Sequence, residues 1–353
     1  MKPVTFYFVA GLTAAAVVAA AVALSMQTDT TSLTAGTKPA LPKLASNING
    51  VAKIELKNAK NSFSIARSGE GWGLVEKDGY AVEFEKVKSA IVSVAEFKLI
   101  EQKTSDPARY GRLELNPPTS PEAKSTRLVF KNEKNEVLAD VLIGKLNTSL
   151  FGQGGAGTYI RRTDEKATWL VRGQVTLGEE PNNWMVRQIV NYGKEKVRKV
   201  TIKGPDGTDH SIIKDKETDQ NFVLQNIPKG RKIKARDEAD PLGGVTWRMM
   251  FDDVKLASKQ KWPSNPWVAH FYTWDGLDIR IETAKFGEDH WGRFKAAVDP
   301  YVTDAKKREA ARKKADRINA RTDGWTYMLT AGDAEKLTAK IDYFLADPKK
   351  KGS

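Results

Sequence analysis

Three histidines, His210, His270 and His290, are the first places to look for acid–base or metal chemistry, because imidazole titrates near neutral pH and binds metals. His290 follows two carboxylates in Gly287-Glu288-Asp289-His290-Trp291, where a carboxylate can steer the imidazole tautomer or join it on a metal. No second His lies near it, no H-E-x-x-H spacing occurs and the chain has no Cys, so zinc lacks its usual donors. His210 and His270 fall in alternating apolar runs, where a structural role is expected. Nucleophilic catalysis finds no G-x-S-x-G elbow. The run Gly152-Gln153-Gly154-Gly155-Ala156-Gly157 lacks the Lys-Ser/Thr of a phosphate loop and reads as a hairpin tip. Asp206-Gly207-Thr208-Asp209 reads as a turn, since the calcium-loop ligand pattern is missing. The residues thus mark no catalytic set, no metal ligands and no cofactor site. The expectation is a protein that is not an enzyme, with an uncharacterised hydrolase as the weakest alternative.

Binding chemistry is better represented. Between Asp304 and Asp323 stand Lys306, Lys307, Arg308, Arg312, Lys313, Lys314, Arg317 and Arg321, among alanines of high helix propensity. Ala311, Ala315 and Ile318 form a narrow apolar stripe at helical spacing. So small an apolar face does not insert deeply into lipid. It leaves the cations to meet phosphate headgroups or an acidic partner, or simply to solvate a connector. Trp262-Pro263-Ser264-Asn265-Pro266-Trp267, with Trp274 and Trp291, makes an aromatic-rich region. Such a group serves either as a carbohydrate or peptide platform or as packing between lobes.

The elements that would carry these residues read as α+β. Val51–Leu56 and Ser62–Arg67 alternate at period two, and Trp72–Val75 is a third short strand. Phe84, Val87, Ala90, Ile91 and Val94 then share one helical face. The order recurs about 150 residues on, by the same strand and helix periods. Val197–Ile202, His210–Lys214 and Phe222–Leu224 stand for the three strands, with Phe222 in the place of Trp72. A helix through Leu242, Val245, Met249 and Met250 follows. Phe97-Lys98-Leu99 is mirrored by Val254-Lys255-Leu256. Hairpins are expected at Arg127–Phe130 with Val137–Ile143, and at Val268–Tyr272 with Leu277–Ile281 around Asp275-Gly276. Thr168–Val171 parallels Thr326–Leu329, each before a helix, Asn182 to Val190 and Asp333 to Leu345. The expectation is two similar lobes from internal duplication, mostly antiparallel sheets with helices, at 48–190 and 191–348, with a basic helical segment at 303–321. Chance similarity of two unrelated domains is the alternative.

Before them, Val4 to Met26 holds no charge and is long enough for one transmembrane helix, since about 20 apolar residues cross roughly 30 Å. Residues 1–26 read as a signal-anchor and 27–47 as a linker. Cleavage after the Ala-rich run is the alternative. Lys2 precedes the segment and the next cation is Lys38, so the body is expected outside the cytoplasm, most simply periplasmic, with the chain held at a bacterial inner membrane. The absence of Cys fits export without disulfides. The net charge of +13 then either serves solubility alone or points to an anionic lipid, polymer or acidic protein, and not to nucleic acid.

The chain resembles the bacterial domain-of-unknown-function family 4340. The likeness rests on the N-terminal apolar segment, Pro39–Leu44 leading into Ile48–Ile54, Gly71-Trp72-Gly73-Leu74, Lys103–Tyr110, Leu142-Ile143-Gly144-Lys145, Thr158–Arg162, Ile318–Arg321 and Gly324–Tyr327. The resemblance implies an envelope-anchored α+β protein, and some members are described as auxiliary parts of ABC-type transport systems related to gliding motility. The leading expectation is a non-enzymatic, membrane-anchored periplasmic accessory or scaffold protein of such a system, with other envelope transport proteins as partners. The second is a binding protein for an anionic envelope lipid or polysaccharide.

Overall fold

A computed structural model describes residues 38–69, 71–119, 121–150 and 155–347. The N-terminal apolar segment, most of the linker, the first half of the glycine run and the C-terminal lysines lie outside these. Among the described residues no helix is long and apolar enough to cross a membrane. The chain divides into two units, with the boundary between Trp184 and Met185.

The first unit opens with α1 (Pro42–Ser46), then β1 (Val51–Lys57), β2 (Ser62–Ser68), β3 (Gly71–Leu74), β4 (Tyr80–Ala81) and α2 (Phe84–Ala95). It continues with β5 (Lys98–Gln102), β6 (Thr126–Asn132), β7 (Val137–Leu150), β8 (Gly155–Arg162) and β9 (Thr168–Arg172). The strands pair antiparallel in one sheet of order β4-β3-β2-β1-β6-β7-β8-β9-β5. Period-two alternation sends Ile65, Ile54, Phe130 and Ala139 to one face as successive cross-strand neighbours, all buried. On α2, Val87, Ala90, Ile91 and Val94 are buried as expected. Phe84 is 55% exposed, because it opens the helix and precedes the turns that reach the sheet. The linker ends earlier than the composition suggested. Leu41 and Leu44 are buried, Ala40 N donates to Phe97 O at 2.8 Å, and Arg162 Nη1 donates to Ala40 O at 2.9 Å. Leu41 and Leu44 lie i, i+3 across a one-turn helix opened by Pro42, too short to show as a period.

The second unit holds β10 (Gln188–Val190), β11 (Val197–Lys203), β12 (Asp209–Ile213), β13 (Val223–Leu224), α3 (Asp240–Gly243) and β14 (Met249–Leu256). Then come β15 (Trp267–Thr273), β16 (Leu277–Phe286), β17 (Asp289–Val298), α4 (Ala305–Thr322), β18 (Trp325–Leu329) and α5 (Ala331–Leu337). The sheet order is β10-β14-β18-β17-β16-β15-β11-β12-β13. Eight strands of each sheet therefore follow one order: β3-β2-β1-β6-β7-β8-β9-β5 in the first and β13-β12-β11-β15-β16-β17-β18-β14 in the second. Ile212, Val200, Phe271 and Ile279 form the buried row matching Ile65, Ile54, Phe130 and Ala139. The connection that differs most is the one after β8 and β17. Residues 163–167 join β8 to β9, whereas residues 299–324, with α4 inside them, join β17 to β18.

Three expected helices are shorter or absent. Met249 and Met250 begin strand β14, and only Asp240–Gly243 is helical before them. Pro241 can open a helix but the Gly243-Gly244 pair cannot sustain one, and Gly243 lies so close to Phe222 that a Cβ there would sit 2.1 Å from the ring. Residues Pro181–Asn183 make a 3-10 turn, and Gln188–Val190, placed by the sequence in a helix of the first lobe, pair with β14 as an edge strand of the second sheet. The C-terminal helix is α5 followed by a 3-10 turn at Ile341–Phe344.

His210 fastens this C-terminal segment. Its Nε2 donates to Ala339 O at 2.8 Å, its ring meets Phe344 edge-on at 5.4 Å, and it is 1% exposed. Burial pushes its pKa below the ordinary 6.5, against the pull of the Ala339 carbonyl. The folded chain thus resists a proton that the unfolded chain accepts. The stability is complete above about pH 6.5 and declines as pH falls below it, until the lowered folded pKa is passed. Thermal unfolding between pH 7.5 and 5 is expected to show this decline, and His210→Gln to flatten it. An equal decline in the variant would assign it to carboxylates instead.

Candidate anion-binding cleft

Helix α4 is held to its sheet by a narrow seam. Asp304 caps it by accepting from Lys307 N at 2.7 Å. Ala311, Ala315, Ile318 and Thr322 are buried against β17, including the three residues of the sequence-read stripe. Asn319 adds two bonds, accepting from Ala296 N and donating to Ala296 O, each at 2.8 Å.

The seam sorts the eight cations by direction. All of them except the half-buried Lys314 are exposed, and Lys306, Lys307 and Arg312 lie away from the cleft. Lys313 pairs with Glu309 at 2.9 Å, both exposed, and Arg308 donates to Val302 O at 2.8 Å. Lys314, Arg317 and Arg321, spaced i, i+3, i+7, run along one flank and line a cleft of about 790 Å³. Lys196, Asn191 and Tyr192 face them from the loop after β10, with Val190 and Ile318 as apolar wall and Asp275 from the β15–β16 turn.

Each wall is fixed by backbone bonds. Tyr192 N donates to Thr246 O and the Thr246 hydroxyl donates to Tyr192 O, both at 2.8 Å. Trp274 N donates to Lys196 O at 2.9 Å, which ties the loop to the β15–β16 turn. Arg321 Nη2 donates to Ile189 O at 3.1 Å, joining α4 to β10, and Arg317 Nε donates to Lys313 O at 3.3 Å within its own helix.

The charge in the cleft is unbalanced. Lys314 Nζ binds Asp275 at 2.6 Å. Burial pushes the Asp275 carboxyl up, but hydrogen bonds from Lys314 and Thr273 outweigh it and hold the group below its ordinary range. That pair neutralises itself. Among the described residues Lys196, Arg317 and Arg321 have no carboxylate partner. Burial and Asp275 raise the Tyr192 phenol above its ordinary value, while the charges of Arg317 and Arg321 oppose the rise. Tyr192 is therefore a neutral hydroxyl at pH 7, able to donate, on which two guanidinium fields converge.

The four tryptophans do not share a surface in this way. Trp262 lies under Arg293 at 4.2 Å and against Phe286 at 5.3 Å. Trp267 covers Gly204, where a Cβ would come within 2.6 Å of its ring, and Trp274 is half-buried beside the cleft loop. Trp291 is 2% exposed, with Lys255 Nζ 4.3 Å above its ring. Among the described residues no ring contact joins any two of them. Of the remaining histidines, His270 Nδ1 bonds Asp278 at 2.9 Å and stacks on Tyr272, while His290 is half-buried opposite Lys285. Among the described residues no three His, Cys, Asp or Glu side chains gather as metal ligands.

Residues 72–244 match the model of a domain of unknown function, DUF4340. This match assigns residues 72–244 to that family. No curated protein and no solved structure matches it. The DUF4340 match runs from β3 to just past α3, so it includes the cleft residues Val190, Asn191, Tyr192 and Lys196, while Asp275 and α4 lie beyond its end. Sequence reasoning found the α4 cations through their density. It missed Lys196 and Tyr192, which carry no local signal and reach the cleft only because β10 is drawn onto β14 beneath α4.

Proposed function

We propose that this DUF4340 protein is a non-enzymatic accessory or scaffold protein of an envelope ABC-type transport system. In this reading its N-terminal segment anchors it in the inner membrane, its body is periplasmic, and α4 recruits an acidic envelope partner. The observation that carries the reading is α4 itself: a cation-rich helix standing between β17 and β18 where the corresponding connection of the first unit is a tight turn. The shared strand order supports descent of the two units from one duplicated ancestor, and α4 is then an addition to the second copy. The link to transport rests on the family resemblance.

Crosslinking in native membranes tests it. Replacing Lys306, Lys307, Arg312 and Lys313 by Gln is expected to change stability by less than about 0.5 kcal/mol, since exposed charges contribute little. Partner capture by the full chain should fall about tenfold at low salt, with the difference shrinking as salt shortens a Debye length of roughly 10 Å at 0.1 M. Identical crosslinked products from both proteins at low salt would leave α4 as a solvated connector. A second reading, a binding protein for an anionic envelope ligand, is favoured by the cleft on the other flank of α4.

A further inference from the structure

We propose that the cleft between α4 and the loop after β10 is a binding site for a phosphorylated ligand, with Arg317, Arg321 and Lys196 on the phosphate, Tyr192 donating to it, and Val190 and Ile318 against the body that carries it. This deepens the second reading above and rests on it.

Three features point to that chemistry. The first is charge. Lys314 and Asp275 neutralise one another at 2.6 Å, which leaves Lys196, Arg317 and Arg321 with no opposing carboxylate among the described residues. All three are exposed, so solvent screens part of their mutual repulsion, and an anion bearing more than one charge relieves what remains. The second is donor geometry. Guanidinium forks suit tetrahedral oxyanions, and here two of them come from one helix flank while an ammonium and a phenol come from the facing loop. Each Arg spends a donor on a main-chain carbonyl, Arg317 on Lys313 and Arg321 on Ile189, which orients the fork and leaves its other N–H groups for a ligand. The third is size. Ligand sites commonly measure about 300–1,000 Å³, and a cleft of about 790 Å³ holds far more than an inorganic ion. The apolar wall of Val190 and Ile318 suits the carbon skeleton of a glycerol or sugar phosphate. Lys306, Lys313 and Arg312 lie elsewhere around α4, so the cleft is separable from the outward cations by mutation.

A phosphate ester could come from a soluble metabolite or from a lipid headgroup, and two titrations separate them. Full chain in phosphatidylcholine nanodiscs is titrated calorimetrically with glycerol 3-phosphate and, separately, with dihexanoyl phosphatidylglycerol against dihexanoyl phosphatidylcholine. Arg317→Gln, which loses no bond outside its own helix, is expected to weaken binding about tenfold, and Arg317→Gln with Arg321→Gln by more. Tyr192→Phe should cost about threefold to tenfold, and Lys306→Gln with Lys313→Gln almost nothing. Loss with glycerol 3-phosphate alone supports the site with a soluble source. Loss with phosphatidylglycerol, with or without the free ester, supports it with a lipid source. Binding that survives in the Arg317 and Tyr192 variants overturns the cleft while keeping an anion-binding protein. Absence of binding by the unsubstituted chain at millimolar ligand overturns both.

Discussion

Arg198→Met is expected to destabilise the protein by about 3–5 kcal/mol, the cost of breaking a buried ion pair by removing one partner. Asp299 is completely buried and its carboxylate bonds the Arg198 guanidinium, while its other oxygen accepts from Tyr301 N at 3.0 Å. Without Arg198 that carboxylate keeps a backbone donor, Tyr301 N, and has no ion-pair partner among the described residues. The guanidinium also lies 5.6 Å from the Tyr272 ring, so its loss removes packing as well. Burial, with Asp278, Asp299 and Tyr301, has pushed the Tyr272 phenol up to about 12, against the influence of Arg198. Urea unfolding of the full chain checks the prediction, and a double variant isolates its cause. Arg198→Met with Asp299→Leu leaves no orphan charge and should recover a large part of the loss. A double variant no more stable than the single one would mean that Arg198 acts through packing alone.

Phe222→Ala is expected to cost a similar about 3–5 kcal/mol, whereas Trp72→Ala should cost less than half of that despite the larger side chain removed. The two residues hold the same register place, each two residues before a buried Leu that pairs with a buried Ile: Leu224 with Ile212, and Leu74 with Ile65. Their surroundings differ. Phe222 is 1% exposed, with Gly243 pressed against its ring and Lys214 Nζ 4.7 Å from its centroid. Its truncation opens a cavity and strips cover from Lys214, itself buried and with its pKa lowered mainly by that burial. Trp72 is half-buried near one sheet edge with Arg67 5.8 Å away, and water can fill the space it vacates. Calorimetry on both variants tests the contrast. Equal losses would show that register alone, and not the local cover, sets the energetics.

Much of the architecture was legible. Strand alternation is a property of a few consecutive residues, so Val51–Leu56, Val197–Ile202 and the Asp275-Gly276 hairpin were read at or within a residue or two of their observed bounds. The parallel order of elements in the two halves is likewise legible from local patterns alone. The errors fall where a local pattern is ambiguous. Met249 and Met250 fit a helical face continued from Leu242, but short apolar sets do not distinguish helix from strand. Pairing with Val190 and Gln188 of β10 makes them strand. Gln188–Val190 was drawn from helix to edge strand by the same pairing. Trp291 groups in the sequence with Trp262, Trp267 and Trp274 as platform or packing, and β17 turns it into the core.

The sequence by itself determined the two runs of alternating strands, the apolar seam of α4 at Ala311, Ala315 and Ile318, and the excess of cations around that seam, because each depends only on residues within a few turns or one strand length of one another. Only the tertiary structure decided which cations act together. Tyr192 and Lys196 are more than 100 residues from Arg317 and Arg321 in the chain, and no local period relates them. They meet because β10 pairs with β14 at the sheet edge, α4 packs across β17, and Arg321 reaches the Ile189 carbonyl between the two. Long-range backbone pairing carries no residue-specific mark, so the cleft exists in the fold and not in any stretch of the sequence.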